Sequence, residues 1–195
     1  MFKIQHRVNT IEELQNTSTE LGVEVDIRSN NQNLIIHHDP FQEGILFHDW
    51  LKFFKHKFLI LNVKEEGLED YLLNKMKEKK IDNFFFLDQS FPFLIKTSNN
   101  GESRCAVRFS EYESVETVIS LSGKIDWVWI DCFNKFPLNN KIFDLLKEKG
   151  FKLCFVSPEL QGRSNIDGIK EYIQEIKNSK MYVDAVCTKY PELWE

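Results

Sequence analysis

Hydrophobic and polar positions follow two alternating patterns along this chain. Short apolar runs with strand-type residues recur, and longer stretches with apolar residues three or four apart, typical of amphipathic helices, separate them. The runs with the strand pattern lie at 2–6, 23–27, 58–63, 83–88, 105–109, 126–131, 152–157 and 184–189. The helical patterns lie at 10–21, 46–55, 68–79, 90–96, 112–121, 139–149 and 167–178. The sequence therefore predicts a repeated strand–helix unit.

Strands that alternate with helices predict an α/β fold with a parallel sheet. Eight strands are the number that closes a (β/α)8 TIM-type barrel, and strand starts about 20 to 35 residues apart suit this unit. With 195 residues the barrel would be compact, with short loops, and residues 1–195 are expected to form a single domain. An open doubly wound sheet is the alternative, because the pattern does not encode closure.

Composition and charge limit the classes of partner and the cellular location that we expect for this protein. The formal net charge is −5 and no basic stripe is present, so nucleic acid is not an expected partner. No apolar run approaches the ~20 residues of a membrane helix, so we expect no membrane insertion. The start "MFKIQHRVNT" lacks a signal-peptide pattern, which favours a cytoplasmic protein. Four cysteines lie in or beside apolar strand runs, as expected of buried thiols in a reducing cytosol: Cys105, Cys132, Cys154 and Cys187.

Ionisable residues interrupt the second strand and the segment after it, "EVDIRSNNQNLIIHHDP" at 24–40. Because residues two apart share a face of a strand, Glu24, Asp26 and Arg28 share one face and would point into a barrel. In a barrel enzyme the carboxyl ends of the strands form the face that carries the active site. Polar residues also occupy the ends of the other strand runs: His6, Asn62 with Lys64, Asp88, Arg108, Asp131, Ser157 and Lys189.

The two carboxylates on one face require compensation, because buried charges are stable only when they are paired or bind metals. One interpretation is an ion network with the basic side chains Arg7, Arg28, Lys64 and Arg108. The other is a hard divalent cation such as Mg²⁺ or Ca²⁺, which prefers carboxylate oxygens and leaves positions for water or phosphate. His6 before the pair and His38–Asp39 after it favour the cation.

Four short motifs stand out along the chain: "HR" at 6–7, "E-x-D" at 24–26, "HHDP" at 37–40 and "TKYPELW" at 188–194. Together they resemble the glycerophosphodiester phosphodiesterase family. That family belongs to the barrel phosphodiesterases related to phosphatidylinositol-specific phospholipase C, and the resemblance extends from His6 to Trp194. It implies a barrel hydrolase for a small phosphodiester, with a role in lipid metabolism.

The resemblance also implies roles for individual residues. It assigns acid–base catalysis to His6 and His38, phosphate binding to Arg7 and Lys64, and binding of Mg²⁺ or Ca²⁺ to Glu24, Asp26 and Asn62. His38 rather than His37 matches the family's His-Asp motif. Strand alternation would also place the two imidazoles on opposite faces, so His37 is expected to be a surface or packing residue.

The sequence departs from the family pattern at four places. Val8 replaces the usual Gly after His-Arg, and Lys189 replaces an Asp near the end of the chain. Asn62 replaces a Glu, which removes one negative charge and predicts weaker metal binding. Pro40 is followed closely by the helix that starts near Leu46, so the insertion that helps to bind the glycerol headgroup is missing.

Two other functions remain open at this point. A phosphate-binding pseudoenzyme of the same fold, with a weakened or lost metal site, is suggested by Asn62, Val8 and the missing insertion. A metal-dependent aldolase or lyase acting on a sugar phosphate would use Lys64 or Lys189 for carbonyl chemistry. Whether water or a substrate hydroxyl attacks the phosphorus, giving hydrolysis or a cyclic phosphate, is not encoded in these residues.

Overall fold

The computed structural model of this chain describes residues 1–162 and 166–194. Within these ranges the fold is mixed α/β, with ten strands in one hydrogen-bonded sheet. The strands are β1 (Phe2–Gln5), β2 (Gly22–Asn30), β3 (Asn33–Ile36), β4 (Ile45–Leu46), β5 (Phe58–Val63), β6 (Phe84–Leu87), β7 (Ala106–Phe109), β8 (Trp127–Ile130), β9 (Lys152–Val156) and β10 (Ala185–Thr188). The helices are α1 (Ile11–Asn16), α2 (Phe47–Trp50), α3 (Glu69–Lys79), α4 (Phe91–Asn99), α5 (Val115–Ile119), α6 (Asn140–Glu148) and α7 (Ile166–Asn178), with 3-10 turns at Pro158–Gln161 and Pro191–Leu193.

Parallel ladders join most of the strands in the order β6–β5–β2–β1–β10–β9–β8–β7. Between β6 and β7 there is only an isolated bridge, which pairs Phe86 with Cys105. There the Phe86 N–H donates to the Arg104 carbonyl at 2.9 Å. The α/β class predicted from the sequence is confirmed, whereas a sheet closed by continuous ladders is not.

An antiparallel hairpin extends this parallel sheet. β3 runs back along the end of β2, with Ile36 opposite Ile27, and β4 pairs with β3. The turn between β2 and β3 contains Asn31 with a φ of 57°, a conformation that Asn adopts more readily than most residues. The sequence analysis missed these two strands, and their pairing brings the residues that follow Ile36 to the end of β2.

Side chains of each parallel strand alternate between two apolar clusters. Val23, Val25 and Ile27 of β2 pack in the larger cluster, which includes residues of the helices. The second cluster lies on the other face of the sheet and includes Ile60 and Phe85. Because side chains alternate along a strand, Glu24 and Asp26 share this second face with Ile60. The face predicted for Glu24 and Asp26, opposite the side chains that meet the helices, is therefore the one observed.

The four cysteines are all buried, as their apolar surroundings predicted. Burial raises the pKa of the Cys105, Cys154 and Cys187 thiols above the ordinary value, so these thiols stay protonated. They act as small apolar side chains in the core.

None of the helices in the described ranges is both long and apolar enough to cross a membrane. The longest of them, α7, has 13 residues, whereas about 20 are needed.

Candidate active site

Polar side chains gather where the parallel strands end, at an edge that we call the carboxyl edge of the sheet. Parallel neighbours end at the same edge, so residues from distant parts of the sequence meet there. Asp26 of β2, for example, lies opposite Asn62 of β5 in the strand register. The polar residues at this edge are His6, Glu24, Asp26, Asn62, Lys64, Asp88, Arg108, Asp131, Ser157 and Thr188.

Glu24 is one of three almost fully buried carboxyl groups at this edge, with 1% of its surface exposed. Its Oε2 accepts the Arg7 backbone N–H at 2.8 Å, and its Oε1 accepts the Asn62 side-chain amide N–H at 2.8 Å. Burial, and then the nearby charge of Asp26, raise the pKa of Glu24 to about 7. A further positive charge beside this carboxyl group would therefore stabilise its ionised form.

Asp26 is equally buried, and basic or amide groups surround both of its oxygens. Lys64 Nζ lies 3.1 Å from Oδ1, and Arg7 Nε lies 3.6 Å from Oδ2. Asn9 donates its side-chain N–H to Oδ2 at 2.7 Å and accepts the Asp26 backbone N–H at 3.0 Å. The sequence analysis missed Asn9, because a lone Asn in a loop carries no pattern. Its double hydrogen bond ties the loop after β1 to β2.

His6 faces the same carboxylates from the end of β1. Its Nε2 lies 3.8 Å from Glu24 Oε2, and its Nδ1 is buried without a hydrogen-bond partner among the described residues. Burial, and then the positive charge of Arg7, lower the pKa of His6 to about 4. The imidazole is therefore neutral near pH 7 and able to accept a proton.

Two residues of this edge have left-handed backbone conformations that are uncommon outside glycine. Arg7 has a φ of 57° and Asp88 a φ of 63°. Such a conformation costs about 1–3 kcal/mol and is concentrated at functional sites. At Arg7 the backbone in this conformation donates its N–H to Glu24, so the strained residue contacts the carboxylate pair directly.

The ion contacts continue across the edge beyond Asp26. Lys64 Nζ lies 3.7 Å from Asp88 Oδ2, and Arg108 Nε donates to Asp88 Oδ1 at 2.7 Å. Arg108 also pairs with Asp131, which accepts the Trp129 indole N–H at 3.2 Å. Burial raises the pKa of Asp131 to about 6 despite the opposing charge of Arg108. The ion network considered from the sequence thus exists, with Asp88 and Asp131 as additional members.

His38 lies in the loop that follows β3. Its Nδ1 is 2.7 Å from Asp39 Oδ1, and its carbonyl accepts two N–H groups of Arg28 at 2.9 and 3.1 Å. Arg28 is therefore engaged with the hairpin and with Glu65 at 3.4 Å. A cavity of about 620 Å³, which we call the His38 cavity, has His38 and Arg7 among its lining residues.

The expected separation of His37 from His38 by strand alternation is wrong. β3 ends at Ile36, so neither histidine is part of a strand and the alternation does not apply to them. Both side chains are half-buried and both line the His38 cavity.

The side chains predicted to hold a divalent metal provide oxygen atoms only, from two carboxylates and one amide: Glu24, Asp26 and Asn62. No group of three or more His, Cys, Asp or Glu side chains in 1–162 and 166–194 is arranged to hold a metal ion. Asn62 directs its amide nitrogen to Glu24, while its Oδ1 is buried without a partner in the described residues. Two carboxylates and this amide oxygen are ligand types that suit Mg²⁺ or Ca²⁺. The donor set thus fits such an ion, with fewer charges than a three-carboxylate site.

Neither a family model nor a curated protein matches this sequence. Solved structures do match its fold. A glycerophosphodiester phosphodiesterase from Agrobacterium tumefaciens str. C58 has a TM-score of 0.69 at 13% identity, over 100% of this chain and 97% of that chain. A glycerophosphoryl diester phosphodiesterase from Parabacteroides distasonis ATCC 8503 has a TM-score of 0.59 at 10% identity, over 99% of this chain and 84% of that chain.

The fold is that of a mixed α/β protein with polar side chains gathered at the carboxyl ends of its parallel strands. More particularly, the fold is similar to that of solved glycerophosphodiester phosphodiesterases along nearly its whole length. These two structures confirm the resemblance inferred from the sequence at the level of the fold. The low identity fits a divergent sequence.

Proposed function

We propose that this chain hydrolyses a small soluble phosphodiester at the carboxyl edge of its sheet. The observation that carries the proposal is the convergence of neutral His6, the cations Arg7 and Lys64, and the buried carboxylates Glu24 and Asp26. The fold similarity to phosphodiesterases supports the same reaction class. A closed TIM-type barrel belongs to this proposal, supported by the isolated bridge between β6 and the residue before β7.

Arg7 and Lys64 are assigned to the non-bridging oxygens of the phosphodiester. Their charged groups lie 3.6 and 3.1 Å from the two oxygens of Asp26, which holds them close together. Charge-assisted hydrogen bonds from such cations stabilise the negative charge that grows on phosphoryl oxygens in the transition state.

His6 and His38 are assigned to the two proton transfers. His6 is neutral because of its burial, so it takes the proton of the attacking nucleophile. His38, whose ring is oriented by Asp39 on the wall of the His38 cavity, protonates the leaving oxygen. This assignment places the leaving alcohol in the His38 cavity.

Glu24, Asp26 and the Oδ1 atom of Asn62 would hold a divalent cation, Mg²⁺ or Ca²⁺. When bound, such an ion polarises the phosphoryl oxygens as a Lewis acid. The raised pKa of Glu24 and the unpartnered Asn62 oxygen support this assignment. The replacement of a third carboxylate by Asn62 makes the binding weak.

The remaining expectations also stay predictions. They are a single domain over residues 1–195, a cytoplasmic location, a role in lipid metabolism, a small-molecule partner and no contact with nucleic acid.

A phosphate-binding pseudoenzyme is the second candidate. It is favoured by one observation: Lys64, Asn9 and Arg7 already surround both oxygens of Asp26, so the acidic pair is partly neutralised by the protein itself. Such a protein would bind inorganic phosphate and turn over no diester.

Turnover assays separate the two candidates. Glycerophosphodiesters and bis(4-nitrophenyl) phosphate are incubated with the protein and Mg²⁺ or Ca²⁺, and phosphate binding is measured by calorimetry. Hydrolysis of either substrate supports the enzyme, whereas phosphate binding without any turnover supports the pseudoenzyme.

A further inference from the structure

Between β6 and β7 the continuous ladder is replaced, in the part of the chain that the structure describes, by the isolated Phe86–Cys105 bridge. Towards the carboxyl edge from this bridge lies a cavity of about 470 Å³, which we call the Arg108 cavity. The residues around it that matter here are Asp88, Leu94, Val107, Arg108, Glu113 and Thr117.

The Arg108 cavity and the His38 cavity are linked by a short series of ion contacts. Arg7, which lines the His38 cavity, lies 3.6 Å from Asp26. Lys64 lies 3.1 Å from the same carboxylate and 3.7 Å from Asp88, which lines the Arg108 cavity. The two cations assigned to the phosphoryl group are therefore connected to both cavities, because Arg7 lines one and Lys64 contacts Asp88 of the other. A phosphodiester has two alcohol arms, so each cavity is a candidate site for one of them.

The lining of the Arg108 cavity indicates which alcohol it accepts. Leu94 and Val107 are buried apolar side chains and form part of its walls. Asp88 and Glu113 contribute carboxylates, and Arg108 is already engaged by Asp88 and Asp131. The charged lining groups are two carboxylates and one guanidinium, so an anionic arm would meet a net negative charge, whereas an uncharged arm with an apolar body would bury its surface against the walls. The volume lies in the usual range of small-molecule pockets.

We propose that the Arg108 cavity is a specificity site for the alcohol that stays on the phosphate, and that it selects an uncharged alcohol with an apolar body. This inference rests on the proposed function, since it names the substrate class of the same edge. The cavity takes no part in the proton transfers, which belong to His6 and His38.

Thr117 offers a test, because it is exposed on α5 and lines the cavity without belonging to the catalytic groups. Thr117→Trp fills the cavity, and the matched control Thr117→Ala leaves it open. The substrates are methyl, benzyl and 4-carboxybenzyl 4-nitrophenyl phosphate, which share one leaving group. We expect Thr117→Trp to lower kcat/KM for the benzyl ester about tenfold and for the methyl ester less than about twofold.

In the same assay Thr117→Ala should change both values less than about twofold, and the wild type should prefer the benzyl over the carboxybenzyl ester about tenfold. Equal effects of Thr117→Trp on methyl and benzyl esters would overturn the inference, as would equal use of the benzyl and carboxybenzyl esters.

If no diester is hydrolysed, the proposed function is refuted. The cavity is then still tested by a binding measurement. Benzyl alcohol is observed by saturation-transfer NMR with the wild type and both variants. Binding to the wild type and to Thr117→Ala, lost in Thr117→Trp, supports the site. Binding that Thr117→Trp leaves unchanged, or no binding to the wild type, contradicts it.

Discussion

Lys64 Nζ lies 3.1 Å from Asp26 Oδ1, and this ion pair joins two adjacent strands at the centre of the carboxyl edge. Only 15% of the Lys64 side chain and 1% of the Asp26 side chain are exposed. A pair so enclosed is costly to break on one side, because the remaining charge stays buried. The same ammonium group lies 3.7 Å from Asp88, so it connects the acidic pair to the Arg108 cavity.

Lys64→Met should therefore lower the free energy of unfolding by about 3 kcal/mol, because it leaves Asp26 buried beside Glu24 with less compensation. Denaturant titration measures this change. The double variant Asp26→Asn/Lys64→Met removes both charges and should recover at least about half of the loss. A double variant no more stable than Lys64→Met would show that the pair does not account for the effect.

Asn62→Asp should increase the affinity for Mg²⁺ or Ca²⁺ about tenfold or more, since it adds a third carboxylate beside Glu24 and Asp26. Isothermal titration calorimetry of the metal-stripped protein measures the dissociation constant directly. Asn62→Leu is the matched control of similar size and should bind the ions more weakly than the wild type. Equal affinities in all three proteins would refute the assignment of these residues to a metal.

The raised pKa of Asp131 predicts how the free energy of unfolding changes with pH. Its folded-state pKa of about 6 lies above the ordinary Asp value of 3.8. The folded state thus keeps this proton more strongly than the unfolded state. The stabilisation that comes from the protonated Asp131 side chain is complete below about pH 4 and is lost as the pH rises through 6. Relative to Asp131→Asn, the wild type should lose up to about 3 kcal/mol between pH 4 and pH 7.

Denaturant titrations of both proteins at several pH values test this difference. Glu24 titrates in both proteins, so its effect cancels in the comparison. A constant difference in unfolding free energy between pH 4 and pH 7 would contradict the raised pKa of Asp131.

His6 should titrate well below an ordinary imidazole, near pH 4, because burial and Arg7 disfavour its charged form. Proton NMR of the imidazole C–H signals follows this titration, and His6→Ala identifies the signal by its loss. A His6 signal that titrates near the ordinary imidazole value of 6.5 would contradict the neutral-base assignment.

The sequence was sufficient to locate the long, regular parts of this fold. All eight strands of the parallel order coincide with predicted runs, because apolar strand runs separated by amphipathic helices are a strong signal. The two faces of β2 were also predicted correctly, since alternation alone determines which side Glu24 and Asp26 share.

The missed features depend on contacts between distant segments. β3 and β4 have four and two residues and are stabilised by pairing with β2 and with each other, so they have no pattern of their own. Asn9 binds Asp26 across 17 positions, a relationship that a single sequence does not display.

We assign His6 and His38 to one phosphodiester, and this is tested most directly by kcat/KM for a glycerophosphodiester, whose alkoxide leaving group needs a proton, in the wild type, His6→Ala and His38→Ala. His56→Ala is the matched control, because His56 hydrogen-bonds the Thr17 carbonyl away from the carboxyl edge. The account predicts turnover by the wild type, a loss of at least about 100-fold in each of the first two variants, and a change below about threefold in the control. Wild-type turnover that both His6→Ala and His38→Ala retain would contradict it.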